Sequence, residues 1–367
     1  MDNVNANNSQ LDNDELAINY QKSYFANNQC EVVGIRALQI ETSEQADQLP
    51  IYQENFETLI NKGQALHKLQ RWNEAIEYYD KAITLNPQSS ITYHFKGSIL
   101  SYMNKIQESI QCFDQALKIN PNDSVVLLLK GDLLLGQNKY TEAIECFDII
   151  IKLCPADSEA FILKSKALHA LTRFQEAIEC YDQIIQISPL NSEVYYNKGD
   201  ALCQLNRLEE SIIYFNKALS INPNLSEAYY KKGNALISLH RYKKAIECFD
   251  QLLLINPKDR LMLYSKGYAL TKMNRYFKAI QCYEQQIQLN PKDLQAYFLK
   301  SKVLSQSKKY NEAIQTLRKA YLISPQPFIM KTLADSLLLL GRKAEAKQFY
   351  LMAGYKKKFI NKKLKKT

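Results

Sequence analysis

The chain has 367 residues, 46% hydrophobic and 23% charged, with a formal net charge of +9. That is enough apolar material for a packed core, and no run of 18 apolar residues occurs, so no membrane-spanning helix is expected. The eight cysteines contain no C-x-x-C pair, and His67, His94, His169 and His240 are scattered. Zinc sites, disulfides and bound cofactors are therefore not expected, and a cytoplasmic or nuclear reducing compartment suits the thiols.

Residues 1–30 are rich in Asn and Asp and read as disordered. They have neither the basic start nor the apolar stretch of a secretory signal. Residues 31–55 hold enough aliphatics to form an extension that covers the element after it.

From there a ruler runs through the chain. Pro87, Pro121, Pro155, Pro189, Pro223, Pro257, Pro291 and Pro325 each lie 34 residues after the last. A fixed period of this size marks a stacked array with one supersecondary unit per period. With proline at position 32, units start at 56, 90, 124, 158, 192, 226, 260 and 294 and fill residues 56–327. Position 11 is leucine throughout, from Leu66 to Leu304. Position 8 is glycine or serine (Gly63, Gly97, Gly131, Ser165, Gly199, Gly233, Gly267, Ser301), and position 20 is alanine or serine. Position 24 is aromatic in seven units, from Tyr79 to Tyr283, and Leu317 in the eighth.

Positions 4, 7, 8 and 11 share helical spacing, as do 20, 24, 27 and 28, which gives two amphipathic helices per unit. Small residues at 8 and 20 let the two axes approach, and the ring at 24 fills the space beyond. Proline ends the second helix. Ser90, Ser124, Ser158, Ser192 and Ser226 at position 1 are expected to cap the next helix. Cys112, Cys146, Cys180, Cys248 and Cys282 follow the period and read as small core residues. At position 27, Ile150, Ile184, Leu252 and Gln286 replace a small residue, so packing should change locally there.

These residues, and above all AYYKKGNALISLHRYKKAIECFDQLLLINP at 228–257, resemble the tetratricopeptide repeat family. The resemblance covers 56–325 without a gap. A ninth unit follows a linker one residue shorter, with Leu337, Ala346, Tyr350 and Ala353 in phase, and residues 328–355 read as a capping repeat. The family fold implied is all-α: a right-handed superhelical solenoid of antiparallel helix pairs, whose first helices line a concave groove at positions 2, 5, 6, 9, 12 and 13.

Position 5 of units five to eight is Tyr196, Tyr230, Tyr264 and Phe298, with Tyr268 nearby at position 9. Two readings are open: the rings hold an extended peptide, or they pack on the neighbouring first helix. Some family members clamp the terminal carboxylate of heat-shock chaperones with lysine at position 5 and basic residues at 2. This chain has neither, so that clamp is not expected. The asparagine ladder of sugar-transferase members is also missing, with only Asn61 and Asn197 at position 6.

Position 7 is lysine in all eight units, from Lys62 to Lys300, and position 25 is mostly acidic. A structural Lys–Asp ladder is favoured over a nucleic-acid patch, because exposed patches rarely alternate with matched acids. The segment 356–367 carries Lys356, Lys357, Lys358, Lys362, Lys363, Lys365 and Lys366 and no acid. It reads either as a solvated ending suited to a helix C-terminus or as a basic tail for an anionic membrane, nucleic acid or an acidic protein. No phosphate loop, G-x-S-x-G or H-E-x-x-H occurs. The expected function is a non-catalytic scaffold that binds peptide segments of other proteins and assembles a complex. Alternatives are a regulatory or substrate-presenting subunit of a separate enzyme, or a basic-tail adaptor for membrane, RNA or tubulin.

Overall fold

The computed structural model describes residues 55–366. The expectations for 1–30, and for 31–55 apart from its last residue, lie outside the described residues. Those described form nineteen helices and no strand. The chain divides after Pro121 into two compact units.

The first unit holds two helix pairs, α1 (Phe56–Lys68) with α2 (Trp72–Leu85) and α3 (Ser90–Tyr102) with α4 (Ile106–Ile119). The second unit opens with α5 (Ser124–Gly136) and α6 (Tyr140–Leu153), α7 (Ser158–Ala170) and α8 (Phe174–Ile187), α9 (Ser192–Gln204) and α10 (Leu208–Ile221). It continues through α11 (Ser226–Ser238) and α12 (Tyr242–Ile255), α13 (Arg260–Lys272) and α14 (Tyr276–Leu289), α15 (Leu294–Gln306) and α16 (Tyr310–Ile323). It closes with α17 (Pro327–Leu339), α18 (Lys343–Met352) and a single helix, α19 (Lys357–Lys366). Within each unit every helix packs on the next in sequence. The result is an all-α repeat solenoid.

The period is built into the joints. A Cβ added at Gly63, Gly97, Gly131, Gly199, Gly233 or Gly267 would lie 2.4–2.8 Å from the aromatic ring at position 24 of the same pair. Tyr79, Phe113, Phe147, Phe215, Phe249 and Tyr283 are those rings, and each is almost fully buried. At these six joints glycine is retained despite its helix cost of about 1 kcal/mol, because an added Cβ would meet the ring; the fourth pair instead seats Ser165 opposite Tyr181. Ser109 at position 20 donates to the Gly97 carbonyl at 2.7 Å, so the close approach also carries a hydrogen bond. Ile150, Ile184 and Leu252 are buried at position 27, as are the alanines Ala82, Ala116 and Ala218 at the same place.

The turn inside each pair was not foreseen. Position 15 takes a left-handed backbone in all eight pairs, φ 57–62°, at Gln70, Asn104, Asn138, Thr172, Asn206, His240, Asn274 and Lys308. The following N–H then returns to the position-11 carbonyl, as from Arg173 to Leu168 at 2.8 Å. This satisfies a carbonyl that the helix end would otherwise leave open. Gly341 takes the same place in the ninth pair, with φ 76°.

The capping expectation needs correction. The serines at position 1 are the first helical residues, and the caps lie one residue earlier. Asp123, Asp157, Asn191, Asp259 and Asp293 accept from N–H groups of the first turn. A carboxylate one residue outside the helix reaches those donors, whereas a side chain already on the helix points away from them.

Cys146, Cys180, Cys248 and Cys282 are buried and Cys112 is half-buried, all as free thiols. Burial pushes Cys180 up to about 11. The segment after the ninth pair becomes α19, whose Ile360 is 1% exposed. Phe359, Ile360 and Leu364 pack into the cluster of Leu337, Ala346 and Tyr350. The last apolar face is thus closed by the basic segment itself.

Candidate functional site

In the second unit the first helices carry one position-5 ring per pair: Tyr196 on α9, Tyr230 on α11, Tyr264 on α13 and Phe298 on α15. All four are half-buried. Tyr196 lies 6.1 Å from Phe215, and Tyr264 lies 6.2 Å from Tyr283. Tyr230 packs against the cluster containing Phe249 and Met262. Phe298 meets Phe328 edge-on at 5.6 Å. Two of the rings therefore lean on the position-24 ring of their own pair, while Phe298 touches the neighbouring first helix. Tyr268 differs from them: it is 45% exposed, with the Lys272 ammonium 5.4 Å from its ring centre.

A polar chain crosses the same helices. Asp200 accepts from Lys231 at 2.6 Å and stands 3.9 Å from the His169 ring. These are positions 12, 9 and 6 of three successive pairs. Burial, the largest single cause, lowers the Lys231 ammonium, but the hydrogen bond it donates to Asp200 and the Asp200 charge together raise it. Burial, then the Asp200 charge, raises the Tyr196 phenol. One pair earlier, Glu159 is pushed up to about 7 by burial and by Asp157 and Asp132, with Lys166 opposing. In the first unit, burial and then His94 push His67 down to about 4.

Further along, Arg260 pairs with the capping carboxylate of Asp293 at 2.5 Å. The Tyr264 hydroxyl is buried beside that carboxylate without a hydrogen bond of good geometry. Gln286 is fully buried at position 27, and its amide donates to the Arg260 carbonyl while its own oxygen lacks a partner. The Asp200–Lys231 pair was missed in the sequence. A search for opposite charges one period minus three residues apart would have found it.

The position-7 lysines form the expected ladder. Lys96–Asp80, Lys164–Asp148, Lys266–Asp250 and Lys300–Glu284 lie at 2.5–2.7 Å, and Lys198 pairs with Asp182 in the same way. Each lysine reaches the acid of the preceding pair. In the basic segment, Lys356, Lys357, Lys358 and Lys362 are exposed, while Lys363 lies 3.4 Å from Asp335. The side chains of Lys365 and Lys366 lie outside those described. Among the described residues no His, Cys, Asp and Glu cluster is arranged to hold a metal ion. No described helix is long and apolar enough to cross a membrane.

Stacked helix pairs of this kind define a class of repeat protein that serves in general as a protein-interaction scaffold. Models of the tetratricopeptide repeat match residues 56–89, 192–225 and 214–247. A model described as anaphase-promoting complex, cyclosome, subunit 3 matches 102–184 and 238–320. The chain is a tetratricopeptide repeat protein.

Among solved structures, the C-terminal part of a repeat protein of this family from Cytophaga hutchinsonii has 17% identity and a TM-score of 0.57, covering 67% of this chain and 99% of that one. A tetratricopeptide repeat protein from Parabacteroides merdae has 21% identity and a TM-score of 0.47, covering 66% and 97%. YrrB, described as a TPR protein with an unusual peptide-binding site, has 20% identity and a TM-score of 0.46, covering 51% and 97%. At these identities the likeness is one of fold. No curated protein matches the chain.

Proposed function

We propose that this protein is a non-catalytic scaffold whose fifth to eighth helix pairs hold an extended peptide of a partner protein and join it to a larger complex. The observation that carries this is the row of Tyr196, Tyr230, Tyr264 and Phe298, one half-buried ring per pair at a constant position. A ring anchored on its own core presents a rigid apolar edge at little entropic cost, which is the chemistry of an interface anchor. Tyr268 and the Asp200–Lys231 pair add polar groups along the same helices. The match to a family model named for a subunit of a multiprotein complex supports the assembly part of the reading.

The test is to capture partners from the native cell with the full chain and to repeat the capture with Tyr230→Ala combined with Tyr268→Ala. Tyr268 is exposed and Tyr230 only borders its cluster, so helicity by circular dichroism should stay near wild type. Partner recovery should fall at least tenfold, the scale of losing one interface anchor. Unchanged recovery with a folded variant would refute the groove.

A further inference from the structure

The lysine ladder is broken at one joint. At five described rungs the position-7 lysine holds a carboxylate from the preceding pair. Lys232 on α11 faces α10, where the acid's place is taken by Asn216. Among the described residues Lys232 forms no ion pair, and it is half-buried.

A second periodic acid is lost at the same joint. At the start of the second helix, a base at position 16 pairs with glutamate at 19 in Arg71–Glu74, Lys139–Glu142, Arg173–Glu176, Arg207–Glu210 and Lys309–Glu312. In the sixth pair position 19 is Lys244, and Arg241 turns instead to Glu209, 2.7 Å away. The seventh pair also has lysine there, Lys278, but its Lys266–Asp250 rung is intact, so only the sixth pair combines the two changes. Relative to the intact pattern, one negative charge is removed and another is reversed.

Both changes open into one cavity of about 300 Å³ between the fifth and sixth pairs. It is lined by Asn216, Lys232, Arg241 and Lys244, with Glu247 its one carboxylate and Tyr229 on its apolar wall. None of these residues lies at a groove position. An aspartate here could only accept hydrogen bonds, whereas the Asn216 amide also donates. The joint thus presents two ammonium groups, the Arg241 guanidinium and the Asn216 and Gln251 amides, together with an apolar wall suited to a short methylene stem.

We propose that this cavity takes the carboxylate of a glutamate side chain from an acidic segment of a partner protein, which completes the missing rung on Lys232 and Lys244. The other rungs fix the chemistry, since the same lysine position there closes on one carboxylate at hydrogen-bond distance. A charge-assisted bond is roughly twice as strong as a neutral one, so the site discriminates for acidic residues.

The test uses the full chain and a fluorescein-labelled peptide of alternating glutamate and alanine, read by fluorescence anisotropy. Asn216→Asp refills the rung internally, and Lys244→Glu restores the position-16 to position-19 pairing seen in five other repeats. Each should weaken peptide binding by about tenfold or more, the effect of losing one such contact. Both variants reinstate native pairings, so their melting temperatures should equal or exceed wild type. The Tyr230→Ala, Tyr268→Ala variant should bind the acidic peptide unchanged. Wild-type affinity in both charge variants would overturn the proposal. So would loss of binding in the groove variant, or an RNA oligomer that binds the cleft while the peptide does not.

Discussion

Replacing Gly233 with alanine sets two effects of known sign against each other. In an open helix the change is worth about 1 kcal/mol in favour of alanine. At this position the new Cβ would sit 2.4 Å from one carbon of the Phe249 ring and 2.8 Å from the next. Carbon atoms prefer about 3.5–4.0 Å, so ring or helix must move by about 1 Å. Phe249 is fully buried within its cluster, so it has nowhere to go cheaply. Overpacking of this kind costs about 1–3 kcal/mol, and Gly233→Ala should therefore come out net destabilising, by about 1 kcal/mol.

Gly136→Ala is the control, because nothing lies within 4 Å of its added Cβ. It should keep part of the propensity gain. The comparison of the two urea-unfolding midpoints then isolates the clash, and hydrogen exchange in α11 and α12 localises it. Trimming the ring with Phe249→Leu should recover part of the loss in the double variant, as the eighth pair already runs Ser301 against Leu317. A midpoint for Gly233→Ala at or above wild type would refute the claim that position 8 is set by the ring.

Thr172 is a β-branched residue held at φ 58° and is exposed. Thr172→Gly should raise stability by about 1 kcal/mol through relief of that strain, seen as a higher unfolding midpoint. Gln286→Leu replaces a fully buried amide whose oxygen has no partner with the residue that Leu252 supplies one pair earlier. Its melting temperature should be unchanged or higher, and a drop would mean that the bond to the Arg260 carbonyl matters more than the orphan oxygen. Glu159 is raised from the usual 4.5 to about 7 in the folded chain. The folded state therefore binds the proton more tightly: its stabilising effect is complete below about 4.5 and is lost as pH rises through about 7. Stability measured across that window should decline with pH in wild type and flatten in Glu159→Gln.

Much of this molecule was legible before any coordinates. The 34-residue spacing set the helix pairs and the phase of the repeating core residues, because a stacked array places the same side chain at the same joint each time. It also identified the lysine ladder, since a matched acid at a constant separation is a property of the string alone. The period was silent wherever one turn of backbone decides. Which residue caps a helix depends on where the first helical dihedral falls, and that moved the caps from Ser124, Ser158 and Ser192 to the preceding Asp123, Asp157 and Asn191. The left-handed residue at position 15 has no single residue type to betray it.

Tertiary structure alone decided what the aromatic row and the basic segment touch. The rings at position 5 are shared between core and surface because each leans on a neighbour: Tyr196 and Tyr264 on a ring of their own pair, Phe298 on Phe328 of the next first helix. The terminal lysines rode on an amphipathic helix whose apolar face had one place to go, the open end of the ninth pair. Sequence determined the period because it is a sum of local choices. Tertiary structure decided the end of the array because there the neighbour that the pattern assumes is missing.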